Sequence, residues 1–138
     1  MITGSISCLY AGILGLVLVA LSAQVVLARR RYRVSLGAGT EEGMQQAVRV
    51  QANFSEYVPF GVLLLVLAEI QGLPDAALHG AGIVLVASRV AHAVALSQRP
   101  GYSFGRMIGT AGTWVVITGL SLWLLWATTA ASRSPAPG

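Results

Sequence analysis

Lysine is absent from this chain of 138 residues, and charge of either sign is scarce: nine arginines and five acidic residues make up 10% of positions. A soluble domain carries roughly 25% charged residues, so a water-facing globule is excluded. Cysteine occurs once, at Cys8, which rules out an internal disulfide and a thiolate metal cluster. A lone thiol near a membrane edge reads as bland. The two histidines, His79 and His92, fall towards opposite membrane faces, so no metal is expected. The net charge of +4 comes from arginines that mark topology, and no nucleic-acid partner is inferred from it.

What is abundant is hydrophobic sequence, at 55% of positions with a mean hydropathy of +0.71. Four apolar stretches stand out: Ser5–Ala28, Ala47–Gln71 with a polar run-in from Glu42, Asp75–Leu96, and Gly105–Ala127. Each is near the roughly 20 residues that cross a bilayer core as a helix. The runs are long and do not alternate, which favours helices over barrel strands. The fold expected is an all-α membrane protein, a four-transmembrane-helix bundle in one domain over residues 1–131, with a disordered, proline-containing tail over 132–138.

Basic residues set the orientation. Arg29, Arg30, Arg31 and Arg33 follow the first span, and Arg99 and Arg106 flank the third connection. The second connection carries only Asp75 and nearby Glu69. Positive-inside counting therefore predicts both termini outside, with the first and third connections in the cytoplasm. Basic residues follow the first apolar run and none precedes it, so a retained span is expected instead of a cleaved signal. Thr40, followed by Glu41 and Glu42, looks like the start of the second helix. Pro59 is a candidate kink within it, and Gly72-Leu73-Pro74-Asp75 a tight turn after it. Gly105, Gly109 and Gly112 recur as small residues do where membrane helices pack closely.

The second span holds the most informative pattern. Arg49, Asn53 and Glu56 stand at i, i+4 and i+7, within one stripe of a helix that turns about 100° per residue. Charges near the centre of a membrane helix cost about 2.5–3.5 kcal/mol each on insertion scales. The stripe suits a small zwitterion: Arg49 for a carboxylate, Asn53 to orient, Glu56 for an ammonium. It also suits a buried network that ties helices together. Arg89 and His92 share one face of the third span; they extend the polar site, with Arg89 pairing Glu56 or another acid, or they bond between helices. The arginines at the end of the first span anchor lipid phosphates, and one of Arg29, Arg30 or Arg31 pointing inward would meet an anionic ligand. Arg106, opening the fourth span, snorkels to the interface or holds an anion such as a thiolate. Lowering a thiol pKa by about two units needs roughly 2.7 kcal/mol, within reach of one partly desolvated arginine, which keeps its own proton.

The motif Arg49-x-x-x-Asn53-x-x-Glu56-Tyr57-x-Pro59 resembles the signature of the MAPEG family, the membrane-associated proteins in eicosanoid and glutathione metabolism. The likeness runs from about Leu21 to Leu125 and takes in Gln24–Val34, Glu69-Ile70-Gln71-Gly72 and Arg89-Val90-Ala91-His92. The last two are most similar to short bacterial members, which implies a bacterial inner membrane. The resemblance implies a homotrimer of four-helix chains binding glutathione as co-substrate between subunits, near the cytoplasmic face. Arg49, Asn53, Glu56 and Tyr57 match positions that hold glutathione. Gln51 matches a further contact, and Arg29 or Arg30 an arginine at the end of helix one. Arg106 matches the arginine that stabilises the thiolate. His92 and Leu96 stand where eicosanoid-forming members have tyrosines, which argues against leukotriene synthesis. The implied activity is a membrane glutathione transferase acting on lipophilic electrophiles, with lipid hydroperoxide reduction open to the same thiolate. The alternatives are a non-catalytic thiol- or lipid-binding membrane protein and, less compatible with the one-sided polar stripe, a small transporter.

Overall fold

The computed structural model describes residues 6–98 and 103–131. Four helices account for nearly all of them: α1 (Ile6–Tyr32), α2 (Glu42–Ile70), α3 (Asp75–Gln98) and α4 (Phe104–Ala131). Each is long and apolar enough to cross a membrane. At 1.5 Å per residue they extend for about 36–44 Å, beyond a hydrocarbon core of about 30 Å. The described residues form one all-α four-helix bundle. The proposed tail, residues 132–138, and the break at Arg99-Pro100-Gly101 lie outside the described residues.

Helix ends differ from the expected ones in instructive ways. The first helix does not stop at Ala28 but carries Arg29, Arg30 and Arg31 in its last turn, where cations favour the negative end of the helix dipole. Arg33 then takes a left-handed conformation, φ 55°, and Val34 N–H donates to Arg29 C=O at 3.1 Å, the closure of a Schellman end. The second helix begins at Glu42 with Glu41 in the capping position and no side-chain cap, so Thr40 does not start it. It runs through Pro59 as one helix. Its far end is a second Schellman closure: Gly72 has φ 82°, Gly72 N–H donates to Glu69 C=O, and Leu73 N–H to Ala68 C=O, both at 3.0 Å. A residue with a Cβ would be strained at that φ, which explains glycine in the predicted turn.

Helix α2 packs against all three others, and α3 touches both α1 and α4, while α1 and α4 do not meet among the described residues. The central pair is therefore α2 and α3. Leu14, Phe54, Leu65, Leu78 and Leu85 are fully buried at the heart of the bundle. Between α3 and α4 the contact is glycine-mediated: a Cβ on Gly109 would lie 2.6 Å from both Ser88 C=O and His92 Cβ, and one on Gly112 would strike Ser88 Oγ. The predicted small-residue seam is thus real, and α3 is its other side. At the opposite end of the bundle from the arginine cluster, the Glu69 carboxylate accepts from Ile6 N–H at 2.6 Å, Ser7 N–H at 3.0 Å and the Ser7 hydroxyl, joining α2 to the start of α1. Nearby, Tyr10 lies against the bare backbone of Gly82 and its hydroxyl meets His79 Nδ1 at 2.8 Å.

Candidate functional site

Helix α2 turns the Arg49–Glu56 stripe outward. Arg49 Nη1 and Glu56 Oε1 are 3.7 Å apart, and the two side chains are 65% and 52% exposed. The pair sits on a helix of membrane length. Continuing along the same face, the exposed side chains turn apolar: Phe60, Leu63 and Leu67. A stripe of this kind is not a lipid-facing surface, because hydrocarbon offers nothing to an ion pair. It requires water or protein against it.

Asn53, between the two ions, faces inward and meets Arg89 of α3. Its Oδ1 accepts from Arg89 Nη2 at 2.6 Å, while Nη1 donates to Thr113 Oγ1 of α4 at 3.4 Å. Thr113 in turn donates to Gly109 C=O at 2.8 Å. The Phe54 and Tyr57 rings lie 5.9 and 5.4 Å from the guanidinium carbon, close enough for cation–π attraction. Arg89 is 1% exposed. The expected pairing of Arg89 with Glu56 or another acid is therefore corrected: Glu56 pairs with Arg49, and Arg89 is held by an amide, a hydroxyl and two rings. Burial takes its charge away from the outer surface altogether.

A third group lies between α3 and α4. His92, Ser103, Arg106, Met107, Thr110, Ala111 and Trp114 line a cavity of about 570 Å³. His92 is 5% exposed, and its Nδ1 has no hydrogen-bond partner. Arg106 is half-buried, fixed in the first turn of α4, where its N–H donates to Ser103 C=O at 3.2 Å and faces Ser103 Oγ at 3.4 Å. Serine before a helix start satisfies such orphan donors. The cavity combines a cation and two hydroxyls with an indole and a thioether, the amphipathic lining that a small apolar ligand with one polar end requires.

The remaining candidates lie elsewhere. Arg29 braces the first connection, Nη1 donating to Gly37 C=O at 3.0 Å. With Arg30 and Arg33 it lines a separate cavity of about 300 Å³. Gln51 is about 200° around α2 from Arg49; its amide reaches Ser55 Oγ at 3.4 Å. The chain thus splits the expected residues among an exposed stripe, an internal clamp, a cavity and an arginine-rich helix end. Thr113, Ser103 and Thr110 were missed from sequence because a hydroxyl on an apolar helix signals nothing until its neighbours are known. The Gly109-to-Thr113 spacing, which lets the hydroxyl bond back one turn, was the available hint.

Comparison with known proteins bears on the family. Inner membrane protein YecN of Escherichia coli (strain K12) is 34% identical over 121 residues, covering 88% of this chain and 91% of that protein. The protein of the same name from Escherichia coli O6:H1 (strain CFT073) matches to the same extent. The MAPEG family model matches residues 7–126, a stretch that holds the ion pair, the buried clamp and the cavity alike. A relative called an inner membrane protein and four membrane-length helices give one answer: this chain is an integral membrane protein of the MAPEG family.

Proposed function

We propose that this protein is a membrane-bound glutathione transferase that joins glutathione to lipophilic electrophiles and works as a homotrimer. The observation that carries the reading is the exposed Arg49–Glu56 pair on a membrane helix. Association with a second copy would cover it, and a peptide bound there would find a cation, an amide and a carboxylate in register. Among the polar residues of the three sites, three arginines (Arg49, Arg89 and Arg106) stand against one carboxylate, Glu56, which pairs with Arg49. That excess suits a ligand with net negative charge. Glutathione in its thiolate form has two carboxylates, one ammonium and one sulfur anion.

Arg106 is the residue assigned to the sulfur. It lies in the first turn of α4 and lines one cavity with Met107, Ala111 and Trp114. The thiol proton leaves to water, the sulfur attacks the electrophilic carbon, and the leaving group departs as an anion or the adduct takes up a proton. Proximity and stabilisation of the sulfur anion would supply the rate. By the positive-inside rule this end of the bundle faces the cytoplasm, with both termini outside. The same thiolate would serve lipid hydroperoxide reduction.

Purified protein should conjugate glutathione to a chloronitrobenzene and show thiolate absorbance when glutathione is added. Absence of both would refute the transferase reading. Arg106→Ala should cut turnover at least tenfold with little change in glutathione affinity; normal turnover would reassign the thiolate partner. One observation favours a second reading, a non-catalytic thiol- or lipid-binding protein: part of the polar set, Asn53 with Arg89 and Thr113, ties helices together. That protein would bind glutathione in calorimetry without turnover.

A further inference from the structure

Arg89 is buried without an acidic partner among the described residues, an unusual state for a cation in a membrane bundle. A guanidinium has donors and no acceptor. Whichever way an amide is drawn, the atom that Asn53 turns to Arg89 must therefore be its oxygen. The amide nitrogen is then directed away, and it makes no hydrogen bond among the described residues. Asn53 follows Arg49 by one turn and precedes Glu56 by three residues, at the edge of the stripe that carries the two exposed ions, so that nitrogen is the polar atom Asn53 has left to offer a ligand on the stripe. The clamp is itself anchored: the Thr113 hydroxyl that takes the other arm of the fork is tied to Gly109 C=O.

We propose that Arg89 is a positioning residue, which holds the Asn53 oxygen and so fixes the Asn53 amide as a hydrogen-bond donor to a ligand carboxylate on the α2 stripe. The proposal rests on the glutathione reading above and adds what a buried arginine contributes to it. Left alone, an asparagine amide offers either end to a ligand. Clamped by a cation, it offers only N–H, with its donor strength raised by the charge on its oxygen. The stripe then reads cation, donor, acceptor, the order that an amino-acid end of a peptide would match.

Asn53→Asp separates the two roles of this side chain. It keeps the size, gives Arg89 a carboxylate partner and removes the donor. In detergent micelles, the unliganded Asn53→Asp protein should melt at or above the wild-type temperature, while its glutathione Kd by calorimetry rises at least tenfold, about 1.4 kcal/mol. Arg89→Gln should also weaken glutathione binding, and Arg89→Lys, which still donates to the oxygen, should recover part of the loss. If Asn53→Asp melts lower, as Asn53→Ala would, the oxygen is not held by Arg89 and the proposal is overturned. Wild-type binding with unchanged affinity in Asn53→Asp overturns the positioning role alone. Absence of glutathione binding by the wild-type protein refutes the transferase reading, and the donor role with it.

Discussion

Adding a single methyl group at Gly109 should measurably part α3 from α4. The new Cβ would stand 2.6 Å from Ser88 C=O and His92 Cβ and 2.9 Å from His92 N. Ordinary contacts of this kind are about 3.3–4.0 Å, so α4 must retreat by roughly 1 Å. Two of the three opposing atoms are backbone and the third is a Cβ that the backbone fixes, so none can rotate aside. Overpacking of this sort costs typically about 1–3 kcal/mol. Helix propensity works in the opposite direction, since alanine is favoured over glycine by about 0.8–1.0 kcal/mol. Gly119→Ala on the same helix cancels that term, because no atom lies within 4 Å of a Cβ there. The stability difference between the two variants is then the clash itself, about 1–3 kcal/mol, or roughly 3–12 °C in melting temperature. Circular dichroism melts in one detergent would read it. Arg106 precedes Gly109 by three residues and His92 touches it, so Gly109→Ala should also reshape the cavity and lower turnover. Equal melting temperatures for Gly109→Ala and Gly119→Ala would refute the glycine seam.

Other substitutions test the rest of the frame. Glu69→Ala removes the carboxylate that accepts from Ile6 and Ser7 N–H, and should destabilise the bundle by about 1–2 kcal/mol in chemical or thermal unfolding, the usual effect of losing a helix N-cap. Tyr10→Phe keeps the ring against Gly82 but takes the hydroxyl from His79; a loss of about 1 kcal/mol is expected, and Gly82→Ala, whose new Cβ would strike the Tyr10 ring, should cost more. Joint replacement Arg49→Gln and Glu56→Gln should leave the protomer's melting temperature nearly unchanged, because an exposed pair stabilises little. If the proposed trimer and glutathione site use this stripe, the same variant should run as a smaller species than wild type in size-exclusion chromatography and lose glutathione-dependent stabilisation; wild-type behaviour in both would dissociate the stripe from ligand and assembly.

Composition and charge placement were enough to read the four helices, their order and the turn at Gly72. Hydrophobic length and the scarcity of charge act locally, residue by residue, and the glycine at position 72 marks its turn because only backbone sterics are involved. Boundaries were less legible. Arginines 29–31 looked like the exit from the first helix but lie within it, since the helix dipole welcomes cations at that end. The i, i+4, i+7 spacing of Arg49, Asn53 and Glu56 placed them along one side of α2, but that the two ions pair with each other, and at an exposed position, emerged only from the structure.

Spacing along one helix cannot say which neighbour a side chain meets on another. Asn53 lies at the edge of the stripe, and only the placement of α3 turned it to Arg89 instead of leaving it beside the ions. In the same way, the glycines of α4 announced close packing, but contact with Ser88 and His92 depended on the depth to which α3 enters that seam. The sequence by itself determined a membrane bundle and a polar layer within it, because periodicity and transfer free energy are properties of each segment. Tertiary structure decided how that layer divides into an outward ion pair, a buried clamp and a cavity, because burial and hydrogen bonding between helices belong to no segment alone.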